Sequence, residues 1–231
     1  MKLVRHFQTI GSPWLLAHGV SRVSNGYTDT VVAESGGTGA VYANPGFGAR
    51  VITHLRLNTP DDEALQSYLV VGQRVIHHRA WVLIDVPMRP NGTLGWVPRS
   101  SLGSYIESDE QIIVDRAAHT LFLCKAGREV FHSPVGVGRA SMVTPTGRFW
   151  VTEAFLSTDP EYGPWAFGTS DLATLHALHA GFGDGGMVGI HGTDKPWLIP
   201  GNPSHGCVRL PNADILRLKQ LVGVGASIWV Q

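Results

Sequence analysis

Two neighbouring stretches decide how this chain folds: Gly189-Ile190-His191-Gly192-Thr193 and Ser204-His205-Gly206-Cys207-Val208-Arg209-Leu210. They bring two histidines and a cysteine close together in sequence, with glycines on either side. A thiol is a weak nucleophile until it loses its proton, and an imidazole is the group that usually takes it. The grouping therefore predicts a catalytic cysteine, Cys207, paired with a histidine.

Either histidine could serve as the base on sequence grounds. His205 stands two positions before Cys207, so both side chains would project to the same side of an extended backbone. His191 ends the apolar run from Met187 to Ile190, which predicts a short strand. His191 could reach the thiol only through the fold.

The residues beside the cysteine suit acyl transfer. Gly206 carries no side chain, so amides around Cys207 could face a developing oxyanion. Arg209 could bind a substrate carboxylate through a two-pronged contact. A single cysteine is most often a small buried apolar residue, and it is the grouping with histidine and glycine that favours catalysis here.

These motifs resemble the signature of the YkuD-type L,D-transpeptidases, which are cysteine acyltransferases of bacterial peptidoglycan. Two further motifs resemble that family in the same order, Pro134-Val135-Gly136-Val137-Gly138 and Thr144-Pro145-Thr146-Gly147. The likeness extends from Ile112 to Val230, roughly half of the chain. The gap between His191 and Ser204 is at or just below the short end of the family's usual range, which leaves the shape of the lid open.

The resemblance implies a role for each residue of the two stretches. Cys207 would form a thioester with a peptide carbonyl, and His191 would take the thiol proton. The backbone carbonyl of Gly192 would orient the imidazole. Three residues of the loop before the cysteine are expected to shape the site: Ser204, His205 and Gly206.

The resemblance also implies the substrate. A peptidoglycan tetrapeptide stem would lose its terminal D-alanine, and the acyl group would pass to the side-chain amine of a diamino acid on a second stem. β-Lactams of the carbapenem class would be covalent inhibitors. We expect three aromatic residues to line the donor pocket: Tyr162, Trp165 and Phe167.

Three alternative functions remain open from the sequence. With water as the acceptor, the same thioester would make the protein an L,D-carboxypeptidase. A non-catalytic protein that binds the cell wall is a second alternative. A zinc site is a third, because His176-x-x-His179 and Cys207 offer suitable ligand types, but no paired Cys-x-x-Cys or His-Glu-x-x-His pattern accompanies them. We expect no metal and no cofactor.

Composition narrows the class of protein. The 231 residues are 43% apolar and 16% charged, with 28 glycines and 14 prolines. So many chain breakers predict a mainly β fold of short strands, with one or two short helices. The formal net charge of zero gives no electrostatic reason to expect nucleic acid as a partner.

The compartment is expected from the resemblance, not from a targeting segment. No apolar run reaches the roughly 18 residues of a membrane-spanning helix. The first residues lack the uninterrupted apolar core of a signal peptide. The family works outside the cytoplasmic membrane, so we expect an extracytoplasmic protein. We also expect Cys124 and Cys207 to be free thiols, since a disulfide would consume the nucleophile.

The pattern of short apolar runs and turns predicts two domains after a leader at residues 1–30. In residues 31–104 short strands alternate with turns, and Asn91-Gly92 is a strong hairpin signal. This part resembles a bacterial Src-homology-3-like barrel, with Trp81 and Trp96 packed inside. Residues 111–231 would form a β-sandwich of the YkuD type.

A charged junction from Tyr105 to Gln111 is expected to separate the two domains. Two helices are expected in the catalytic part. One covers Leu172–Ala180, and the other covers Ala213–Leu221 with Asn212 as its N-cap.

Overall fold

The computed structural model describes residues 19–25, 29–59, 64–172 and 186–231. Over these residues the protein consists of two β-sheets and one α-helix. The predicted fold class, mainly β with one or two short helices, is confirmed. None of the helices in the described ranges is long and apolar enough to cross a membrane.

The first sheet contains eight strands in the order β4-β3-β7-β6-β5-β2-β8, with β1 paired to β5. All its pairs are antiparallel. The strands are β1 (Ser21–Arg22), β2 (Thr30–Ser35), β3 (Ala40–Tyr42), β4 (Val51–His54), β5 (Ser67–Ile76), β6 (Arg79–Val86), β7 (Thr93–Pro98) and β8 (Leu102–Ser108).

Two local predictions for this sheet, a turn and a pair of buried tryptophans, are confirmed. Asn91-Gly92 lies in the turn between β6 and β7, and Gly92 has a φ of 80°, a conformation that glycine adopts without strain. Trp81 and Trp96 are 2% and 4% exposed, so both pack in the core as predicted. The resemblance of residues 31–104 to a Src-homology-3-like barrel stays a prediction.

The ends of this sheet differ from the predicted boundaries. β1 and the first residue of β2 lie within the segment predicted as a leader, and both are paired into the sheet. The charged junction predicted from Tyr105 to Gln111 is not a loop. β8 continues to Ser108 and β9 begins at Glu110. Charged residues here lie on strand faces; Glu110, for example, pairs with Lys125 at 3.0 Å.

The second sheet contains ten strands in the order β11-β10-β9-β18-β13-β14-β15-β17-β12-β16. The first three strands of this order pair antiparallel. The strands are β9 (Glu110–Asp115), β10 (Thr120–Lys125), β11 (Arg128–Pro134), β12 (Gly136–Gly138), β13 (Gly147–Phe155), β14 (Ala166–Leu172), β15 (Met187–His191), β16 (Gly201–Ser204), β17 (Val208–Arg209) and β18 (Ser227–Val230).

Helix α1 (Asn212–Lys219) buries Ile215 and Leu218 in the core of this sheet. It confirms the predicted helix, but the predicted N-cap is wrong. Pro211 occupies the N-cap position, and the Asn212 side chain accepts a hydrogen bond from the Thr193 amide at 2.8 Å instead. The other predicted helix begins at Leu172, which is the last residue of β14, and its remainder lies outside the described residues.

The two sheets share buried contacts. The indole of Trp150 on β13 is 1% exposed and clusters with Val32 and Leu69 of the first sheet. Its Nε1 donates to Ser67 Oγ at 3.1 Å. At a second contact the Asn91 side chain donates to Asp171 Oδ1 at 2.8 Å. The first sheet therefore buttresses β13 and β14, which also border the candidate site.

Candidate active site

Strand pairing brings the two motif stretches together. β15 and β17 run parallel and adjacent, with Ile190 opposite Val208. This register places Gly189 beside Cys207, and the Gly189 amide donates to Cys207 Sγ at 3.3 Å. The predicted short strand before His191 is β15 itself. Parallel pairing of residues close in sequence needs a crossover, and the chain between the two motifs provides it.

His191 is the histidine that the fold brings to the sulfur. The point that a Cβ would occupy on Gly189 is 3.7 Å from His191 Cδ2 and 4.0 Å from Cys207 Sγ. The argument that His205 projects to the same side as Cys207 required an extended backbone. The chain bends between His205 and Cys207, where Gly206 has a φ of 135°.

The imidazole of His191 is held in one orientation. Its Nδ1 is 2.7 Å from the Gly192 carbonyl oxygen. A carbonyl can only accept, so Nδ1 carries the proton and Nε2 presents a lone pair. The ring of Tyr162 lies against the imidazole, with centroids 4.4 Å apart. This arrangement leaves Nε2 as the proton acceptor of the ring.

Burial keeps His191 neutral. The side chain is 2% exposed, and this burial lowers the pKa of His191 to about 4. The hydrogen bond to Gly192 raises the pKa in part, while the positive charge of Arg209 lowers it further. His191 is therefore uncharged at neutral pH and can accept a proton.

Ser204 shapes the loop that carries the cysteine. Its Oγ donates to the Cys207 carbonyl at 2.6 Å and accepts from the Gly206 amide at 3.1 Å. The amide of Gly206 is thus engaged by a side chain of its own loop. Of the two amides expected to face an oxyanion, that of Cys207 is the better candidate.

Thr144 is a site residue that sequence reasoning missed. Its Oγ1 donates to the Gly206 carbonyl at 2.7 Å and accepts from the Gly138 amide at 2.9 Å. It is 1% exposed. One hydroxyl thus joins the Pro134–Gly138 motif and the cysteine loop. The motif around Thr144 was visible in the sequence, but its contact across 62 residues was not.

A cavity of about 300 Å³ opens beside the thiol. Cys207 and Gly189 form one side of it, and Tyr162 lies in its wall. The structure places Trp165 and Phe167 outside this lining. Phe167 is 1% exposed in the core, and Trp165 packs edge-on against it at 6.2 Å.

Arg209 lies behind His191. It is 9% exposed, and its Nη2 is 3.7 Å from Glu161 Oε1. Its buried Nε has no hydrogen-bond acceptor among the described residues. Arg209 is not among the residues that line the cavity.

Cys124 and Cys207 are both free thiols. Cys124 lies on β10, and burial raises the pKa of its thiol, with the charge of Glu129 adding to the effect. Among the described ranges, no three histidine, cysteine or acidic residues group as metal ligands. His176 and His179 lie outside those ranges.

Comparison with known sequences assigns the part of the chain that forms the second sheet to a protein family. The family model of the L,D-transpeptidase catalytic domain, YkuD, matches residues 109–230. The putative L,D-transpeptidase YkuD of Bacillus subtilis is 30% identical over 119 residues, which cover 52% of this chain and 64% of that protein. The probable L,D-transpeptidase ErfK/SrfK of Salmonella typhimurium is 32% identical over 137 residues, covering 52% and 44%. The chain thus matches less than two thirds of the length of these relatives.

Solved structures described as L,D-transpeptidases also align with this chain. The catalytic domain of the Enterococcus faecium L,D-transpeptidase aligns with a TM-score of 0.42 at 20% identity, covering 53% of this chain and 97% of that one. L,D-transpeptidase 3 of Mycobacterium tuberculosis aligns with a TM-score of 0.41 at 18% identity, covering 66% and 91%.

Proposed function

Because the chain belongs to the YkuD family of L,D-transpeptidases, we propose that it is a peptidoglycan L,D-transpeptidase with Cys207 as its nucleophile. The single observation that carries the proposal is the convergence of Cys207 Sγ and the His191 ring on the same point beside Gly189. A neutral imidazole beside a thiol is the arrangement that activates a cysteine.

The first half of the reaction forms a thioester. The thiol proton passes from Cys207 to His191 Nε2, and sulfur attacks the carbonyl carbon that precedes the terminal D-alanine of the donor stem. The C–N bond then breaks, and the imidazolium returns its proton to the departing amine. The hydrogen bond from Nδ1 to Gly192 fixes the ring during both transfers.

The second half transfers the acyl group. The side-chain amine of a diamino acid on a second stem attacks the thioester carbonyl, and sulfur leaves as the thiol once His191 has relayed a proton. The Cys207 amide stabilises the oxyanion in each tetrahedral state. Ser204 and Thr144 support this step by holding the loop on which that amide lies.

Three further expectations belong to this proposal. Arg209 binds a substrate carboxylate, because a guanidinium pairs with a carboxylate through two parallel hydrogen bonds. The substrate is assembled outside the cytoplasmic membrane, so the protein works in the cell wall or periplasmic space. Carbapenems acylate the same sulfur because their strained carbonyl takes the place of the stem carbonyl.

Intact-mass spectrometry after incubation with imipenem tests the nucleophile. We expect the wild-type protein to gain the mass of one imipenem, and Cys207→Ala to gain none. Cys124→Ala is the matched control and should react like the wild type, because that thiol lies on another strand. An adduct of equal yield on Cys207→Ala would refute the assignment.

Product analysis separates the transpeptidase from the carboxypeptidase. Incubation with a tetrapeptide stem should release D-alanine and yield a cross-linked dimer of stems. Release of D-alanine with a free tripeptide as the sole other product would mean that water is the acceptor.

A further inference from the structure

Three strands carry a row of residues across the floor of the active-site cavity. Glu153 on β13 pairs with Gly168 on β14, and Gly168 pairs with Gly189 on β15. All three line the cavity together with Cys207. The row therefore ends in a carboxylate on one side and a thiol on the other.

The two glycines keep the floor between those ends bare. A Cβ on Gly168 would overlap the carboxylate of Glu153, so that carboxylate lies directly over the Gly168 backbone. A Cβ on Gly189 would be 4.0 Å from Cys207 Sγ. Cβ positions of directly paired residues are about 5 Å apart, so the carboxylate lies within roughly 11 Å of the sulfur.

The environment of Glu153 suits a cation. The residue is 3% exposed, and a carboxylate paired with an ammonium in such a low-dielectric position holds its partner more strongly than the same pair in water. A carboxylate accepts hydrogen bonds and donates none, so it favours an ammonium over a neutral or anionic group.

We propose that Glu153 forms a subsite for a side-chain ammonium of the donor stem, across the Gly168–Gly189 floor from Cys207. This inference rests on the proposed function, because it takes the attacked carbonyl to lie at Cys207. From that carbonyl, an extended lysine-like side chain reaches its nitrogen over six bonds, or roughly 7–8 Å. A hydrogen bond of about 3 Å then completes the distance to the carboxylate. The ligand is therefore a donor residue with a four- to five-carbon side chain that ends in an amine.

The test compares two synthetic tetrapeptide stems that differ in one atom at the third residue. One carries lysine, and the other carries 6-hydroxynorleucine, in which a neutral hydroxyl replaces the ammonium. The measurement is kcat/KM for release of D-alanine. We expect the wild type to prefer the lysine stem by about tenfold or more, and Glu153→Gln to reduce that preference to within about threefold.

Two more variants control the comparison. Glu34→Gln changes a carboxylate in the neighbouring cleft that Glu153 also borders, and it should keep the full preference. Gly168→Ala should lose preference, because its methyl group displaces the Glu153 carboxylate. It provides a second readout should Glu153→Gln fail to fold, which thermal melting would reveal.

The outcomes are distinct. Equal rates for the two stems in the wild type, or an unchanged preference in a folded Glu153→Gln variant, would overturn the subsite. A wild-type protein that releases D-alanine from neither stem and forms no imipenem adduct would instead overturn the proposed function.

Discussion

At the scale of single residues, the low pKa of His191 sets the chemistry apart from a cysteine–histidine ion pair. An imidazole with a pKa of about 4 stays neutral at neutral pH, so the resting site holds an uncharged base. Burial is the main cause, and the hydrogen bond to Gly192 opposes it only in part. The charge separates during proton transfer and not before it.

The pH dependence of acylation follows from this pKa. Protonated His191 cannot accept the thiol proton, so the rate should fall as pH drops through about 4. The fall should not begin near the ordinary histidine value of about 6.5. The measurement is the rate of imipenem adduct formation between about pH 3.5 and pH 7. A half-maximal rate near pH 6.5 would contradict the neutral resting state.

Residue type and spacing predicted that Cys207 pairs with a histidine, but they left His191 and His205 as alternatives. The choice of His191 and the role of the Gly192 carbonyl came from the resemblance to the family, and the hydrogen bond between these two residues is present in the structure. The role of Thr144 was not accessible, since it depends on two backbone partners that only the fold brings together. The role of Asn212 was misread for a related reason. As a helix N-cap its side chain would bond its own helix, whereas it bonds the Thr193 amide of another segment.

At the scale of elements, helix α1 supports the segment that orients His191. Asn212 Oδ1 accepts from the Thr193 amide, one residue beyond the carbonyl that holds the imidazole. A Cβ on either Gly163 or Gly192 would overlap that same oxygen. The Asn212 carboxamide therefore contacts three elements: the start of the helix, the turn at Gly163 and the end of β15.

Replacement of Asn212 tests this support. Asn212→Ala leaves the Thr193 amide without its acceptor, which we expect to cost about 1–3 kcal/mol of folding free energy. It should also slow imipenem acylation, because the Gly192 carbonyl is less firmly placed. Asn212→Asp keeps an acceptor oxygen and serves as the matched control. Equal acylation rates for the alanine variant and the wild type would show that the helix does not position the histidine.

Strand content could be predicted from short apolar runs between glycines and prolines, and the hairpin of β9, β10 and β11 could be predicted from its short connections. The order of the second sheet could not. β18 inserts between β9 and β13, and it pairs parallel with one and antiparallel with the other. The strand order depends on which faces of the sheet are buried against the rest of the protein, and no local sequence pattern encodes that burial.

At the scale of the whole molecule, the two sheets are tied by a buried carboxyl. Asp171 at the end of β14 is 2% exposed, and burial raises its pKa to about 8, with the Asn91 hydrogen bond opposing the change. The folded protein therefore holds this proton more tightly than the unfolded chain, whose aspartate pKa is about 3.9.

Stability should consequently decline as pH rises from about 4 to about 8. Asp171→Asn removes the titration while keeping the acceptor for Asn91. Between pH 5 and pH 8.5, the free energy of unfolding of this variant should therefore fall by roughly 2–4 kcal/mol less than that of the wild type. Denaturant unfolding at both pH values measures the change. Asp109→Asn, on the exposed residue between β8 and β9, should leave the pH dependence intact. An unaltered decline in the stability of Asp171→Asn would exclude this carboxyl as the source of the decline. Burial raises the pKa of Asp85 to about 7, so Asp85 should contribute a smaller decline that remains in the variant.

Strands β8 and β9 follow each other closely across the predicted junction, since only Asp109 lies between them. Alternating charged residues from Tyr105 to Gln111 are typical of a linker, yet the same pattern fits a strand with one solvated face. Only the pairing of β8 with β2 distinguishes the two.

The indole of Trp150 has a practical consequence for anyone who would shorten this protein. A fragment that starts at residue 109 keeps every group of the thiol site, yet it strips Val32, Leu69 and the Ser67 hydroxyl from that ring. The fragment would expose an apolar aromatic patch on β13, the strand that also carries Glu153. Trimming the chain to residues 109–231 would therefore yield a protein prone to self-association unless Trp150 were also exchanged for a polar residue.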